Sequence, residues 1–511
     1  MKLSGYFLLA AVGGLTLGTP AVRAAGVLIP ATNRVDATHD DTRDLVYVTN
    51  GDSILRYDPV AGTFLTPFVL EPGLRGLDLS PDGSMLAVAC GTYAGTENWI
   101  YLVNPEDGTA TKVSFTRNYG EAGTFTVKWT ADGLLYISSG YAGSGWVPLR
   151  RYDPASGTTT VVRNSVEQNT MLATSGDGLT LVTAGANLSS GPFATYDLTL
   201  STWKTTGSTG WFNFEAAASA DGSQLAVPTY SGTFVYDRNF TKLATLGVYA
   251  GQTPIGVAYH PVEDLIYLPI ARTAEVRIFD TTSFAQTGSI NVGSMFSWGG
   301  NGAFIAGRTR LSLDGSRLLV TVTGGVQLVP LYAPLEATDS AVETNEDQAA
   351  SIALGATIGN GGAIEFETAS GPAHGTLSGS APNLTYTPAP DFNGTDSITF
   401  RARYGAAVRT ASVQISVNPQ NDAPVAAADS FTVRRYTMTP LAVQANDRDV
   451  DGDPLTVVRI TQPARGMILL LNGSVYYWAH SSYTGTLNFN YTVADAAGAT
   501  STAPVTLRIV K

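Results

Sequence analysis

The feature that most constrains this chain is a tight-turn motif followed directly by a short apolar strand, repeated along two thirds of the sequence. The repeats recur about every 45 residues, as expected for small β-sheet units. Seven copies of the signal lie at 41–50, 80–90, 130–139, 175–184, 219–228, 260–269 and 312–321. A second turn signal, such as "RYDPVAG" at 56–62, follows each of the first six copies by about one strand. The pattern therefore predicts seven units of about four strands each.

A unit of this size is typical of a propeller blade, which has little interior of its own and must be buried against neighbours. A ring supplies a neighbour on both sides of every blade. A linear β-solenoid is the alternative, but its repeats are shorter and lack paired hairpin signals. We therefore expect an all-β chain in which residues 25–335 form a seven-bladed β-propeller. The seventh copy lacks its second signal, so we expect the unpaired segment 25–31 to complete the last blade and close the ring.

These repeats resemble the YVTN-type β-propeller family, which is named for a strand such as the one at 47–50. The resemblance covers about residues 25–335. It implies the fold more strongly than the activity, because related propellers include surface-layer proteins, lyases and lactonases.

Long, glycine-rich and aromatic segments follow the second and fourth strands of the repeats, whereas short Asp-Gly and Pro-Gly turns follow the first and third. Because strands alternate in direction within a blade, the long segments should share one face, where binding residues usually lie. The aromatic side chains of this face are candidate contacts for sugar rings or a peptide. They are Tyr93, Tyr119, Tyr141, Trp146, Trp211, Phe212, Tyr230 and Trp298. The alternative is that several of these rings pack between blades.

Signals for catalysis are sparse. The chain has four histidines without metal-ligand spacing, no phosphate-binding loop and no nucleophile elbow. Glu97, Glu121 and Glu215 could act as general acid and base, although acids in loops are commonly solvated. We predict no catalytic residue and favour a binding protein. An exported propeller lyase or hydrolase acting on a carbohydrate or lactone is the alternative.

The N-terminus and the charge indicate export. Residues 1–24 combine Lys2, an apolar stretch and small residues at the cleavage-determining positions, as in a secretory signal. No later apolar run is long enough to span a membrane. The net charge of −12 disfavours nucleic acid as a partner. The single cysteine, Cys90, lies in an apolar strand and is expected to be buried. We expect a secreted or extracytoplasmic protein, at the cell surface or in the periplasm.

After Pro334 the pattern changes to two related modules offset by 91 residues. The motif "PAHG" at 372–375 recurs as "PARG" at 463–466, and both copies continue into alternating strands. This spacing of short strands predicts two β-sandwiches, at 336–419 and 420–511.

The second module contains crowded aspartates in "NDRDVDGDPL" at 446–455. Carboxylates this close repel one another unless a cation lies among them, and Ca²⁺ is the usual extracellular choice. An EF-hand is excluded because its twelfth position is Val458 and strand residues follow. In a sandwich this loop, the loop 494–498 and the leading segment 421–422 converge at the joint between the modules. The predicted calcium ligands are Asn421, Asp422, Asp447, Asp449, Asp451, Asp453 and Asp495.

This region resembles the cadherin-like and VCBS-type modules of bacterial surface proteins, which have an Ig-like fold. The motifs that carry the resemblance are "NDAPV" (421–425), "NDRDVDGDPL" (446–455), "HGTL" (374–377), "YTPAPDFNGTDSITF" (386–400) and Asp495. The first module departs from the pattern: its acidic loop reads "LGATIGNGG" (354–362) and Tyr404 stands where an acid is expected, which leaves Glu346 and Asp347.

The first module is therefore expected to hold a degenerate calcium site. The resemblance implies a surface or secreted binding and adhesion protein, in which the propeller face recognises a glycan or a protein. The two sandwiches would form a stalk stiffened by Ca²⁺.

Overall fold

A computed structural model describes residues 26–143, 145–186, 189–204, 206–247, 252–296 and 308–511. These ranges contain strands and turns, and they include no helix with the length and hydropathy of a membrane span. The expected signal segment 1–24 and Trp298 lie outside the described residues. The chain divides into two compact units. One unit runs to Ala337 and also contains Ala356–Glu365 and Arg401–Thr410, and the other contains the remaining C-terminal residues.

In the described part of the first unit, seven antiparallel sheets of four strands follow one another, and one has a short fifth strand. Strand β1 is Val27–Pro30. The first sheet is β2 to β5: Arg34–Asp40, Leu45–Asn50, Ser53–Asp58 and Thr63–Val69. The second is β6 to β9: Leu74–Leu79, Leu86–Cys90, Glu97–Val103 and Ala110–Thr116. The third is β10 to β13: Glu121–Trp129, Leu135–Tyr141, Trp146–Asp153 and Thr158–Glu167.

The remaining sheets continue the series. The fourth is β14 to β18: Thr170–Thr174, Thr180–Gly185, Pro192–Asp197, Thr202–Trp203 and Gly207–Ser208. The fifth is β19 to β22: Ala217–Ala218, Gln224–Thr229, Gly232–Asp237 and Lys242–Leu246. The sixth is β23 to β26: Ala258–Tyr259, Leu265–Pro269, Glu275–Asp280 and Gln286–Asn291. The seventh is β27 to β29, Thr309–Leu311, Arg317–Val322 and Gly325–Pro330, completed by β1.

The turn motifs form the hairpins that the sequence predicts. In the turn between β6 and β7, the Asp82 carboxylate accepts hydrogen bonds from Ser80 Oγ at 2.6 Å and from the Ser84 amide at 3.1 Å. Gly83 has a φ of 70°, which glycine adopts without strain. In the turn after β4, Asp58 accepts from two backbone amides at 2.8 Å. Side chains that bond their own turn explain why the motif is so regular.

Packing between sheets closes the ring. Apolar clusters lie between consecutive sheets from the first to the seventh. A further cluster joins Val46 and Tyr57 of the first sheet to Leu319 and Val326 of the seventh, with Ile29 of β1 fully buried among them. Strand β1 pairs antiparallel with β29, opposite Val326 and Leu328. The N-terminal strand therefore supplies the outer edge of the last blade, as the incomplete seventh repeat predicts.

Two sandwiches follow. The first contains β30 to β38: Glu336–Thr338, Ser340–Asn345, Ala350–Ala353, Gly355–Thr357, Glu365–Ser370, Gly375–Ser380, Asn383–Pro388, Gly394–Tyr404 and Ala407–Asn418. The second contains β39 to β45: Asp429–Arg434, Met438–Leu441, Thr456–Ile460, Met467–Leu471, Ser474–Trp478, Gly485–Ala494 and Thr500–Val510. Each has a four-stranded and a three-stranded sheet. In the first sandwich the strand orders are β31-β38-β37-β34 and β32-β36-β35. In the second they are β39-β45-β44-β41 and β40-β43-β42. The predicted all-β fold class, a propeller followed by sandwiches, is confirmed.

Candidate ligand and metal sites

Four of the predicted aromatic residues present exposed rings at the end of the propeller that carries the long segments. Tyr119 is 97% exposed, Trp146 57%, Trp211 46% and Tyr93 41%. Each lies in or directly beside a connection that follows a second or fourth strand. The Arg117 guanidinium carbon lies 4.6 Å from the centre of the Tyr93 ring, a cation–π arrangement. This end of the propeller therefore presents the flat apolar surfaces that a sugar or peptide would contact.

The other described aromatic candidates pack within the protein. A Cβ placed on Gly120 would lie 2.2 Å from the Tyr141 ring, so that ring occupies the space left by the glycine. The Tyr230 ring meets Phe214 edge-on at 5.0 Å and Phe212 at 6.3 Å. Tyr141, Phe212 and Tyr230 therefore fit the alternative interpretation, in which rings pack between segments. Trp298 lies outside the described residues.

A cavity of about 130 Å³ lies beside Trp146, between the third and fourth sheets. Its lining includes Arg163, Val166, Pro192 and Phe193. The Arg163 guanidinium donates to Thr206 Oγ1 at 2.9 Å, and burial lowers the pKa of this side chain. A ring face, an apolar wall and a cationic donor in one depression are the elements of a small-ligand site.

The predicted loop acids are not arranged as an acid–base pair. Glu121 is buried, and its Oε2 accepts a hydrogen bond from the Arg150 guanidinium at 2.8 Å. Its Oε1 forms an ion pair with the same guanidinium. Glu97 begins β8 and is exposed. Glu215 does not lie at the surface but is 2% exposed in the middle of the propeller.

The centre of the propeller contains a buried ion cluster that sequence reasoning missed. Arg308 donates to both carboxylate oxygens of Asp36, at 2.8 and 3.0 Å. Arg310 donates to Glu215 Oε1 at 2.8 Å and lies 3.8 Å from Asp36. The amides of Val257 and Thr309 donate to the other Glu215 oxygen at 3.1 and 3.3 Å. No local pattern could have revealed this cluster, because Asp36 and Arg308 are 272 residues apart.

Burial dominates the protonation of the two acids. It raises the pKa of Asp36 to about 6 and that of Glu215 to about 7, although the charge of Arg310 opposes both shifts. Burial alone would lower the pKa of Arg310, but the charges of Asp36 and Glu215 raise it above its usual range. Both acids therefore interact with buried arginines rather than with solvent. A cavity of about 210 Å³ lies on the hairpin-turn side, and its wall contains the charged side chains of Arg310 and Lys128 and the ring of His260.

The second unit brings acids from both sandwiches together. Carboxylate oxygens of Glu346, Asp422 and Asp451 lie within 4.8 Å of one another, and so do those of Asp347, Asp391 and Asp422. Two of the predicted ligands, Asp422 and Asp451, belong to these groups. Burial raises the pKa of Asp422, and repulsion from the neighbouring acids raises it further. Such repulsion is what a bound divalent cation would relieve.

Other predicted ligands make hydrogen bonds within the same loops. Asp495 accepts from the Gly498 amide at 2.6 Å and from Asn421 Nδ2 at 2.9 Å. Asp449 accepts from the amides of Asp451 and Asp453, at 3.0 and 3.3 Å, which holds the aspartate-rich turn in shape.

Asp447 accepts from Tyr491 Oη at 2.6 Å. Within the described residues, the Oδ2 atoms of Asp422, Asp447 and Asp449 are inaccessible to solvent and accept no hydrogen bond. Buried acceptors without donors fit a cation better than water-facing acids do.

Three acids of the joint cluster are not among the predicted ligands. Glu346 and Asp347 stand in the sequence as the remnants of a degenerate site, and Asp391 lies in the motif at 386–400 without a predicted role. Asp391 lies in the segment "PAPDFNG" and has a φ of 58°, as Asp347 has one of 60°. The acids stand at the edge of the first module that faces the leading segment of the second. The joint therefore draws its carboxylates from both modules rather than from the second alone.

Two segments of the chain, residues 332–416 and 421–508, match the family model of the bacterial Ig domain. Both sandwiches are Ig-like. The matched segments overlap residues 336–419 and 420–511, for which the sequence predicts sandwiches. Among curated proteins, none matches the chain.

Solved structures are similar to more than half of this chain. A chain of the Kuenenia stuttgartiensis hydrazine synthase has 15% identity and a TM-score of 0.47, over 62% of this chain and 99% of that one. A chain of the mitotic checkpoint complex has 14% identity and a TM-score of 0.47, over 65% and 99%. The Dos1 propeller has 16% identity and a TM-score of 0.44, over 58% and 77%. Likeness at this level carries no argument about activity.

Proposed function

We propose that this is an exported binding and adhesion protein of the cell surface or the extracellular space. Its propeller would recognise a glycan or a protein through the aromatic end, and its Ig-like sandwiches would act as an extension stiffened by Ca²⁺. Two Ig-like modules of the bacterial type support the location. The observation that carries the proposal is the joint cluster, in which acids of both sandwiches form two groups that share Asp422.

Ca²⁺ is the cation that best fits this donor set. All the candidate ligands are carboxylate oxygens, which hard cations prefer, and Ca²⁺ accepts the irregular geometry of an exposed joint. Glu346, Asp422 and Asp451 would hold one ion, and Asp347, Asp391 and Asp422 offer a second, adjoining position. A bound ion would supply positive charge at the joint, and the connecting segment would then lose its freedom to bend.

The calcium test is a thermal melt of the full-length protein with Ca²⁺ or with chelator. Saturation at about a hundredfold over Kd adds about 2.7 kcal/mol, which raises the midpoint of the C-terminal transition by several degrees. Asp422→Asn should abolish this shift. Glu365→Gln, which changes an exposed acid elsewhere in the first sandwich, should retain it. An identical midpoint in Ca²⁺ and in chelator would remove the calcium proposal.

The ligand test is a glycan-array screen of the full-length protein, followed by titration of any hit. Trp146→Ala should weaken binding at least about tenfold, because an exposed ring at a contact contributes a kcal/mol or more. Tyr436→Ala is the matched control, since Tyr436 is an exposed ring, at 62%, on the second sandwich. An array without hits would remove the glycan from the proposal and leave a protein ligand.

A second candidate is an exported lyase or hydrolase that acts on an acidic sugar or a lactone. The observation in its favour is the cavity walled by Arg310 and Lys128, behind which two acids have pKa values raised towards neutrality. Turnover of a uronide or lactone by the wild-type protein, lost in Glu215→Gln, would support this candidate. Intact substrate after incubation with saturating wild-type protein would exclude it for the substrates tried.

A further inference from the structure

The outer face of the three-stranded sheet in the second sandwich is apolar, although it is open to solvent. We call it the apolar face; its large side chains are Met438, Met467, Leu469, Leu471, Tyr476 and Trp478, and the smaller Pro440 and Ser474 lie on the same side. Trp478 lies directly between Met438 and Met467 in the register of the sheet. The exposed fractions are 45% for Trp478, 49% for Met438 and 41% for Met467. Methionine and aromatic residues are the types enriched in protein interfaces.

The core of this sandwich does not require these side chains. The alternate residues of the same strands, Ile468, Val475 and Tyr477, point inward and are each 2% exposed within the buried cluster. Residues on the outward side of a half-buried sheet are ordinarily polar. The apolar face is therefore a departure from the pattern and has no explanation in the stability of the sandwich itself.

The first sandwich provides an internal comparison. At the positions 91 residues earlier, its equivalent sheet pairs Thr376 with Thr387 and Ser378 with Thr385, where the second sandwich pairs Met467 with Trp478 and Leu469 with Tyr476. The second sandwich therefore has a large, mainly apolar residue at each of the four positions where the first has a small polar one. A replacement of small polar residues by large apolar ones on the outward side of a sheet indicates a surface that another molecule covers.

We propose that the apolar face binds the same face of a second copy of this chain. The exposed side chains present roughly 500 Å² of apolar surface. Two such faces together remove roughly 1,000 Å² from water, which reaches the size of the smaller specific interfaces. Two sheets stacked face to face at about 10 Å would interdigitate the rows of side chains, and a twofold axis makes the same patch serve both partners.

Charge and chemistry favour a second copy over other occupants. Residues 420–511 contain seven aspartates against six arginines and one lysine, so this module is neutral in a chain whose net charge is −12. Two copies can therefore meet here without the repulsion that other surfaces of the chain would impose. The aliphatic side chains Met438, Met467 and Leu469 offer no hydrogen-bond groups, which a sugar would need. Methionine adapts its shape to an opposing face.

The test is sedimentation of the full-length protein from about 1 to about 100 μM, a range in which an interface of this size dissociates. The wild-type protein should dimerise with increasing concentration. The decisive variant carries Met467→Thr, Leu469→Ser, Tyr476→Thr and Trp478→Thr, the residues that the first sandwich has at these positions. Its self-association should weaken at least about a hundredfold, because buried aromatic residues dominate interface energies.

The controls keep the result interpretable. A single Trp478→Thr variant should weaken the dimer without altering the melting curve, which guards against loss of fold in the fourfold variant. A variant with Val60→Thr and Leu200→Ser removes residues that are 80% and 69% exposed on propeller turns, and it should dimerise like the wild type. A wild-type monomer at every concentration, an unaffected fourfold variant, or equal loss in the control would each overturn the proposal.

Discussion

The side chains at the centre of the propeller show how a few charged residues stabilise a fold that is otherwise apolar. Arg308 is 4% exposed and spans both oxygens of Asp36, which is 2% exposed. Asp36 belongs to the first blade, and Arg308 precedes the first strand of the last blade. This pair therefore links the two blades that the chain must bring together last. The sequence carries no local sign of it, since isolated charges in strands are ordinarily solvated.

Replacing Arg308 tests that role. Arg308→Met should destabilise the propeller by about 3–5 kcal/mol, because it leaves a buried carboxylate without its main partner. Urea unfolding followed by tryptophan fluorescence measures the effect. Lys112→Met is the control, since its pair with Glu71 is 39% and 50% exposed and should contribute about 1 kcal/mol or less. Equal effects of the two substitutions would show that burial does not set the strength of the central pair.

At the scale of elements, the closing strand β1 illustrates what a repeat pattern can predict. The seventh repeat lacks its outer strand, and the strand at the start of the chain belongs to no repeat of its own. In the structure this first strand, β1, pairs with β29 of the seventh repeat. The prediction succeeded because a missing strand leaves a free sheet edge, which must be covered. The joint loops illustrate the opposite. The aspartate-rich turn is evident in the sequence, but its Asp451 lies beside Glu346 of the other sandwich, a pairing that no local pattern predicts.

The two faces of β1 provide a matched pair of substitutions. Ile29→Ala should cost about 2–5 kcal/mol, because Ile29 is fully buried where the last blade meets the first. Leu28→Ala, at the neighbouring position that is 43% exposed, should cost about 0.5 kcal/mol or less. Chemical unfolding of the two variants compares them directly. If both substitutions had the same effect, β1 would not be the strand that closes the ring.

At the scale of the whole molecule, the central acids make stability depend on pH. Folding raises the pKa of Asp36 to about 6 and of Glu215 to about 7, so the unfolded chain binds fewer protons than the folded one between about pH 4 and 7. Their contribution is fully present below about pH 4 and is lost as the pH rises through 6 to 7. The acids of the turns have the opposite effect, because their pKa values are lowered and their stabilisation is lost as the pH falls. Hydrogen bonds from Thr199, for example, lower the pKa of Asp197.

Glu215→Gln isolates this effect from the other titrating groups. Burial lowers the pKa of His260. This shift stabilises the folded state as the pH rises towards 6.5, so it partly cancels the loss of stability caused by the two acids. The midpoint of the wild-type protein should therefore fall more steeply than that of Glu215→Gln between pH 5 and pH 8. Thermal melts at several pH values measure both slopes. Parallel slopes would mean that Glu215 has an ordinary pKa in the folded protein.

The repeats, the closed ring and the two related sandwiches follow from the sequence by itself, because turn chemistry and strand alternation are local and recur at each copy. The sequence also indicates which end of the propeller carries the varied aromatic segments. Only the tertiary structure decides which charged groups meet in the centre, which acids share the joint, and which rings are left exposed. Those contacts join residues far apart in the chain, and they exist only once the ring has closed and the loops of both sandwiches have met.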